Sequence, residues 1–222
     1  MAGQIVVISG TSGAGKTTTC QAFARRAEEP YLMLGMDLLL GSMIPGKYTI
    51  FGEQKDEGYY GLGWGPVGWK AIEAMHEMIA GAARSGQNMV VDHLMFIDPP
   101  ILQDCIWRLA DLPVLFVNLR PSRDVLERRV TERKIELPPQ MVEAVGGPDG
   151  VRKLGELLSQ MTPWYYEHAY QNGCFDLELD SEALSPDQLC EQIEARLRQG
   201  PGTAFETLRQ RYPCSQSGVR SI

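Results

Sequence analysis

The stretch GTSGAGKT, residues 10–17, follows the apolar run QIVVIS and precedes a segment with helical spacing. It has the form Gly-x-x-x-x-Gly-Lys-Thr, in which the glycines let the backbone curl so that successive N–H groups point at phosphate oxygens. Lys16 supplies a cation for the terminal phosphates, and the Thr17 hydroxyl is suited to bind magnesium. A chance glycine-rich turn is the alternative. The expected nucleotide-binding residues are Gly10, Thr11, Ser12, Gly13, Ala14, Gly15, Lys16, Thr17 and Thr18.

Apolar runs of strand length alternate with helical patterns along the rest of the chain. The runs lie at 5–9, 31–34, 88–92, 114–119 and 174–179, and the helical patterns at 17–28, 65–86, 99–111 and 121–135. Several runs are apolar throughout, which is typical of strands covered on both faces. The alternation predicts an α/β P-loop fold with a five-stranded parallel sheet and helices on both faces.

Three segments interrupt this alternation. Residues 44–66 mix Gly with Tyr, Phe and Trp, which favours a loop that builds a substrate wall. Residues 136–150 are rich in Pro and Gly, which favours a surface excursion. We expect one kinase-like domain over 1–199 and a tail over 200–222 with a short helix at most and a disordered end.

Composition limits the class of partner. The net charge of −7 argues against a nucleic-acid binder that works by bulk electrostatics. The five cysteines form no Cys-x-x-Cys pair, and no apolar run reaches the roughly 20 residues needed to cross a membrane. The opening residues lack the features of a signal peptide. We therefore expect a cytoplasmic protein without nucleic-acid or membrane partners, and a homo-oligomer is left open.

Asp37 stands in the stretch YLMLGMDLLLGS, residues 31–42, in which every other residue except Ser42 is apolar or Gly. An ionised carboxylate buried there would cost several kcal/mol unless it were paired. It could cap a helix or lie on the solvent side of a half-buried segment. The third interpretation is a catalytic base at the mouth of a site, where open α/β sheets bind ligands.

Asp92 closes the apolar run NMVVD, where a Walker B acid would lie. It could hold magnesium directly or through water, and a helix cap or turn is the alternative. His93, next to it, could contact substrate or merely form local hydrogen bonds. The magnesium ligands expected from the sequence are therefore Thr17 and Asp92.

The segment LRPSRDVLERRVTERKIE, residues 119–136, is rich in arginine. Arg129 and Arg133 lie one helical turn apart and share a face, whereas Arg128 is expected to face outward. Interleaved acids also allow a solvated face with weak ion pairs. In small P-loop kinases a lid lies here, and its arginines clamp the transferring phosphoryl group.

Several stretches together resemble chloramphenicol phosphotransferase and its relatives, which transfer the terminal phosphate of ATP to an antibiotic hydroxyl. They are ISGTSGAGKTT, EEPYLMLGMDLLL, ARSGQNMVVDHLMF, VLFVNLRPSRDVLERRVTER and EHAYQNGCFDLELDS. The resemblance covers residues 4–135 and 160–181. It implies that Asp37 deprotonates the substrate hydroxyl, and that Arg129 and Arg133 belong to the lid.

The chain also departs from this family's pattern. The family has a second acid where His93 stands, and the residues 136–155 and those after Ser181 have no counterpart that we can match. The expected lid region is 120–150. An acceptor pocket is expected to be walled by Phe51, Tyr59, Tyr60, Trp64 and Trp69, unless these rings only pack the loop onto the core.

These features predict a phosphotransferase that uses ATP and magnesium, with Asp37, Lys16, Arg129 and Arg133 as catalytic residues. The acceptor is a small-molecule hydroxyl, of which an antibiotic is one candidate. A nucleoside, a nucleotide sugar or another metabolite alcohol is the alternative, because zeta-toxin kinases share this layout. A regulatory ATPase is a second alternative, and a GTPase is disfavoured because the sequence has no Asn-Lys-x-Asp for guanine.

Overall fold

Five apolar segments form one parallel sheet in the order β2-β3-β1-β4-β5. They are β1 (Ile5–Ser9), β2 (Tyr31–Gly35), β3 (Asn88–His93), β4 (Val114–Leu119) and β5 (Leu177–Leu179). The structure, a computed structural model, describes residues 1–39, 43–44, 65–135, 142–143 and 146–213. Every residue of β1 and β4 is buried, as a continuous apolar strand between two helical layers requires. The predicted five-stranded parallel sheet is confirmed.

Helices cover both faces of the sheet. They are α1 (Lys16–Arg26), the single turn α2 (Met36–Leu38), α3 (Pro66–Arg84), α4 (Ile101–Arg108), α5 (Arg123–Glu132), α6 (Gly147–Ala169), α7 (Pro186–Leu197) and α8 (Ala204–Arg211). Side chains of α3, α4, α6 and α8 share one apolar core with one face of the sheet. Those of α1 and α7 share a second core with the other face. None of these described helices is long and apolar enough to cross a membrane.

The parallel register brings the ends of three strands together. Ser9 pairs with His93 between β1 and β3, and Gly35 pairs with Asp92 between β2 and β3. The loop that follows β1 and the turn that follows β2 therefore leave the same edge of the sheet as Asp92. This carboxyl edge is where open parallel sheets bind ligands.

Two segments differ from the sequence prediction. Part of the proposed surface excursion over 136–150 is helical, because α6 begins at Gly147. The strand expected over 174–179 is only three residues long, and the side chain of Asp176, just before it, caps a helix. Residues 136–141 and 144–145 lie outside the described residues.

The short helix expected in the tail is α8. Phe205 and Leu208 are buried in the core that α3 and α4 share, and Trp107 Nε1 donates a hydrogen bond to the Tyr212 carbonyl at 2.9 Å. Residues 200–213 therefore pack as part of the same body as the sheet. Residues 214–222 lie outside the described part, and the division of the chain at residue 199 stays a prediction.

Candidate active site

The loop after β1 has the geometry of an anion cradle. Gly10 has a φ of +147°, and a Cβ there would lie 2.7 Å from the Leu119 carbonyl oxygen, so a side chain is excluded by backbone on the neighbouring strand. Lys16 opens α1, and its Nζ donates to the Thr11 carbonyl at 3.0 Å, which folds the side chain back over the loop. Backbone N–H groups at a helix start attract phosphate oxygens.

Asp92 contacts the loop directly. The Thr17 hydroxyl donates a hydrogen bond to its carboxylate, and Lys16 Nζ lies 3.8 Å from Asp92 Oδ1. The Asp92 side chain is nearly buried beside this cation. A hydroxyl and a carboxylate meeting at a phosphate-binding loop are the oxygen ligands that magnesium prefers. The donor set therefore fits the metal that the sequence predicts.

Asp37 lies on α2, two residues after the last residue of β2, and is exposed at the cavity described below. The backbone at Gly35, before the turn, provides the N-cap position, so Asp37 does not cap this turn. The acid in the apolar run thus avoids the desolvation cost, because its neighbours Met36 and Leu39 are buried while it faces the cavity.

Arg129 on α5 and Arg133, the residue that follows α5, both line the cavity. Arg129 Nη2 donates to the Ser181 carbonyl at 2.9 Å, and Nη1 donates to the Gly13 carbonyl at 3.3 Å. Arg133 is exposed at the end of the same helix, where it forms no ion pair with any described residue. Arg128 is exposed and does not line the cavity, as expected.

One cavity of about 670 Å³ brings these groups together. Residues that follow β2 and β3 form one side of it, since both strands lie on the same side of β1 in the sheet. Residues that follow β4 and β5 form the other. The lining includes Ser12, Gly13, Gly15, Lys16, Thr17, Thr18, Met36, Asp37, Asp92, His93, Leu94, Arg129, Arg133, Ser181, Glu182, Leu184, Pro186 and Leu189.

His93 borders the cavity, but its ring nitrogens face inward. Nδ1 accepts a hydrogen bond from the Leu94 backbone N–H at 2.8 Å, and Nε2 lies 2.7 Å from His76 Nε2. Burial, and next the neighbouring His76, hold the pKa of His93 well below its ordinary value. The local hydrogen bonds that the sequence left as the alternative are therefore present.

Sequence reasoning missed the turn after β5. The Ser181 hydroxyl donates to the Ala14 carbonyl at 2.6 Å, while its own carbonyl accepts from Arg129. Ser181 thereby joins the phosphate-binding loop to the arginine-rich helix. The sequence does place Ser181 just after an apolar run of strand length, and the same kind of placement indicated Asp37 and Asp92 as site residues.

The expected aromatic wall falls largely outside the described residues, which include none of Phe51, Tyr59, Tyr60 and Trp64. Trp69 lies on α3, where it is partly buried against the core. For this one ring the alternative of core packing is present. The substrate loop over 44–66 stays a prediction.

Solved structures of other proteins share the fold. The APS kinase of Mycobacterium tuberculosis, solved with AMPPNP and APS, has 16% identity and a TM-score of 0.60 over 89% of this chain and 98% of its own. A gluconokinase from Sinorhizobium meliloti has 20% identity and a TM-score of 0.53 over 94% and 97%. The Deinococcus radiodurans tunicamycin resistance protein has 18% identity and a TM-score of 0.50 over 88% and 95%.

Curated protein sequences give no match to this chain. A family model does match it: that of chloramphenicol phosphotransferase-like proteins, over residues 3–198. The matched range contains the phosphate-binding loop, Asp37, Asp92 and the arginine-rich helix. This match supports a phosphotransferase of the kinase type. The chain belongs to the chloramphenicol phosphotransferase-like family.

Proposed function

We propose that this protein transfers the γ-phosphoryl group of ATP to a hydroxyl of a small molecule. The observation that carries the proposal is that Lys16, Asp37, Asp92, Arg129 and Arg133 all line one cavity. A nucleotide switch needs Lys16 and Asp92 to bind the phosphates and magnesium. It has no acceptor hydroxyl to deprotonate, and therefore no use for an exposed carboxylate at the same opening.

The nucleotide phosphates would lie on the loop over residues 10–17, with Lys16 on the terminal phosphates. Thr17 and Asp92 would hold magnesium, which supplies charge neutralisation at the phosphates. Arg133 is an exposed cation that reaches the cavity, so it would bind the transferring group, where charge stabilisation is most valuable. Arg129, fixed to two carbonyls, would hold the lid helix against the loop.

Asp37 would be the general base. Its carboxylate accepts the acceptor's hydroxyl proton while the hydroxyl oxygen forms a bond to the γ-phosphorus and the bond to the β–γ bridging oxygen breaks. The side chain meets the requirement for this role, because it is exposed at the cavity on the side of β2 and β3. Lys16 and the phosphate-binding loop lie between it and the residues after β5.

The acceptor is proposed only as a class. The resemblance to chloramphenicol phosphotransferase favours an antibiotic alcohol. The fold is also found in an APS kinase and a gluconokinase, so sugars and nucleotides belong among the compounds to be tried.

The test is incubation with Mg-ATP and a panel of hydroxylated antibiotics, nucleosides, nucleotide sugars and sugar acids, read by mass spectrometry. A mass gain of one phosphoryl group on any compound supports the proposal. Lys16→Ala is the control, and it should abolish turnover. Slow ATP hydrolysis with no phosphorylated product from any compound would favour a regulatory ATPase instead.

Asp37→Asn tests the base separately. We expect kcat for the accepted compound to fall about 10²–10⁴-fold, the range typical of a lost general base. Affinity for ATP should stay unchanged, because the loop does not involve Asp37. Full transfer activity in this variant would contradict the assignment.

A further inference from the structure

A chain of hydrogen bonds, buried at its two histidines, runs from the carboxyl end of β3 to the outer side of α4. His93 Nε2 lies 2.7 Å from His76 Nε2 on α3, and His76 Nδ1 lies 2.5 Å from Asp104 Oδ2 on α4. Arg108 Nε donates to both Asp104 oxygens at 2.8 Å. His76 and His93 are almost fully buried, and none of these contacts is used by the phosphate-binding loop itself.

The two ends of this chain fix every proton within it. The Leu94 backbone N–H can only donate, so His93 Nδ1 must be the unprotonated nitrogen. An ionised Asp104 can only accept, so His76 must carry its proton on Nδ1. His93 Nε2–H then donates to His76 Nε2. Both rings are thus neutral, each in a single tautomer, and all donors point from the site toward Asp104.

We propose that His76, oriented by Asp104, is a positioning residue for the magnesium ligand Asp92. The reason is that only one residue separates His76 from Asp92. His76 contacts His93, which is adjacent to Asp92 in the chain, and the His93 ring also accepts a hydrogen bond from the Leu94 backbone N–H. His76 therefore restrains the backbone at His93 and Leu94, directly after Asp92. Buried polar groups of this kind fix one geometry because every alternative leaves one of them unpaired.

The proposal rests on the proposed function, because it assumes that Asp92 serves a magnesium-nucleotide site. The same side chains could instead be considered a metal centre, since the His76, His93 and Cys105 ligand atoms lie within 4.8 Å of one another. The Leu94 N–H argues against this. A histidine that coordinates through Nε2 carries its proton on Nδ1, whereas His93 Nδ1 accepts a hydrogen bond here.

The first experiment needs no variant. The sequence has three histidines, so ¹⁵N-histidine NMR of the whole chain resolves each ring. We expect His93 as the Nε2–H tautomer and His76 as the Nδ1–H tautomer at neutral pH. A protonated His93 Nδ1, or zinc bound in a 1:1 ratio to the purified protein, would overturn the proposal.

The second experiment compares His76→Gln with His76→Phe. Gln can accept from His93 and donate to Asp104, whereas Phe fills the space of the ring but leaves the His93 Nε2–H unpaired and Asp104 with Arg108 alone. The readout is ATP affinity with Mg²⁺ and with EDTA. We expect His76→Phe to raise, by about 10-fold, the Mg²⁺ concentration at which the gain in ATP affinity is half-maximal. A loss of this size is typical when a group that orients a metal ligand is removed. The affinity of this variant in EDTA should not change, and Gln should restore most of the effect.

The matched control is Ile79→Ala, which removes a buried side chain from the same helix and the same core without touching the hydrogen bonds. A purely structural role would give Ile79→Ala and His76→Phe the same Mg²⁺ dependence, and this result would overturn the proposal. So would a wild-type protein that binds ATP equally with Mg²⁺ and EDTA.

Hydrogen exchange of the peptide that contains Leu94 gives a readout without metal, and it should speed up in His76→Phe alone. None of these measurements involves an acceptor. If no compound in the panel is phosphorylated while they hold, the acceptor proposal fails and the positioning role stands.

Discussion

Gly35 shows how closely two strands approach at the candidate magnesium site. A Cβ at this position would lie 3.2 Å from the Asp92 Cβ, tighter than ordinary van der Waals contact. The backbone of Gly35 is extended, so alanine could adopt it without strain. We expect Gly35→Ala to displace the Asp92 carboxylate by a few tenths of an ångström. ATP should then bind with a higher Mg²⁺ requirement while the fold is retained, as titration with a fluorescent nucleotide would show.

Gly81→Ala is the control for this substitution. Gly81 lies inside α3, and a Cβ there would meet nothing within 4 Å. Alanine should stabilise the helix by about 0.5–1 kcal/mol and leave Mg²⁺ dependence unchanged. If Gly35→Ala and Gly81→Ala showed the same Mg²⁺ requirement for ATP binding, the close approach of Gly35 to Asp92 would not matter for magnesium binding.

Asp104 gives a pH-dependent contribution to stability. Burial alone would raise its pKa, but hydrogen bonds from His76 and Arg108 outweigh burial and hold the pKa below the ordinary value. A carboxylate of this kind stabilises the fold above its unfolded pKa of about 3.9. That stabilisation is lost as pH falls through the lower folded value, because the unfolded chain takes up the proton first.

We therefore expect the difference in unfolding free energy between wild type and Asp104→Asn to be constant from pH 7 to pH 5. It should shrink as pH falls below about 4, in urea titrations at each pH. Asp111→Asn is the control, since its ion pair with Arg84 is largely exposed and should contribute little. A difference that grew on acidification would contradict the assigned direction.

Among single residues, the sequence could identify those whose role follows from their immediate neighbours in the chain. Lys16 and Thr17 belong to a short motif, and Asp37 and Asp92 each follow or end an apolar run. The orientation of His93 was not predictable, because its partner His76 is 17 positions away on another element. The place of Ser181 after an apolar strand was visible in the sequence, but its two contacts, with Ala14 and Arg129, were not, because both partners are distant in sequence.

Among the elements, α8 depends on one carboxylate that precedes β5. Asp176 Oδ1 accepts from the backbone N–H groups of Thr203 and Ala204 at 2.7 and 3.0 Å, in place of an N-cap side chain. Its Oδ2 accepts from the Phe116 backbone N–H at 2.8 Å. Asp176 thus fastens the start of α8 to β4.

Asp176→Asn should leave at least one of these three N–H groups unpaired, because an amide nitrogen cannot accept. We expect the free energy of unfolding to fall by about 2–4 kcal/mol, measured by urea titration. Glu206→Gln, an exposed change on the same helix, is the control and should be nearly neutral. A neutral Asp176→Asn would mean that α8 is held in place without the Asp176 carboxylate, by its apolar face and its other hydrogen bonds.

Element boundaries were predictable where a pattern was long. The 3.6-residue spacing over 65–86 corresponds to α3 at Pro66–Arg84, and the run at 114–119 is β4 itself. The start of α6 was not predictable, because Gly147, Pro148 and Gly150 open a helix whose apolar face begins only farther along. Pro148 suits the first turn of the helix, where its missing N–H costs no hydrogen bond.

In the part of the chain that the structure describes, one sheet lies between two apolar cores, and the candidate active site lies at its carboxyl edge. Its order, β2-β3-β1-β4-β5, puts the strand before the phosphate-binding loop in the centre. The sequence predicts this class, since alternating strands and helices leave few topologies. The role of residues 200–213 was not predictable, because an eight-residue helix with three buried side chains has too weak a pattern to distinguish from a polar tail.

A truncation tests whether the chain after residue 199 is a tail. Removal of residues 200–222 would expose the core that Phe205 and Leu208 cover, including Phe116, whose ring lies 5.1 Å from that of Phe205. It would also leave Asp176 buried without its α8 partners. We expect this fragment to unfold at lower urea concentration or to aggregate, and circular dichroism with light scattering would show which.

Removal of residues 214–222 alone leaves every described contact in place and should not change the unfolding midpoint. If the 1–199 fragment were as stable as the full chain, the division at residue 199 would be a true domain boundary.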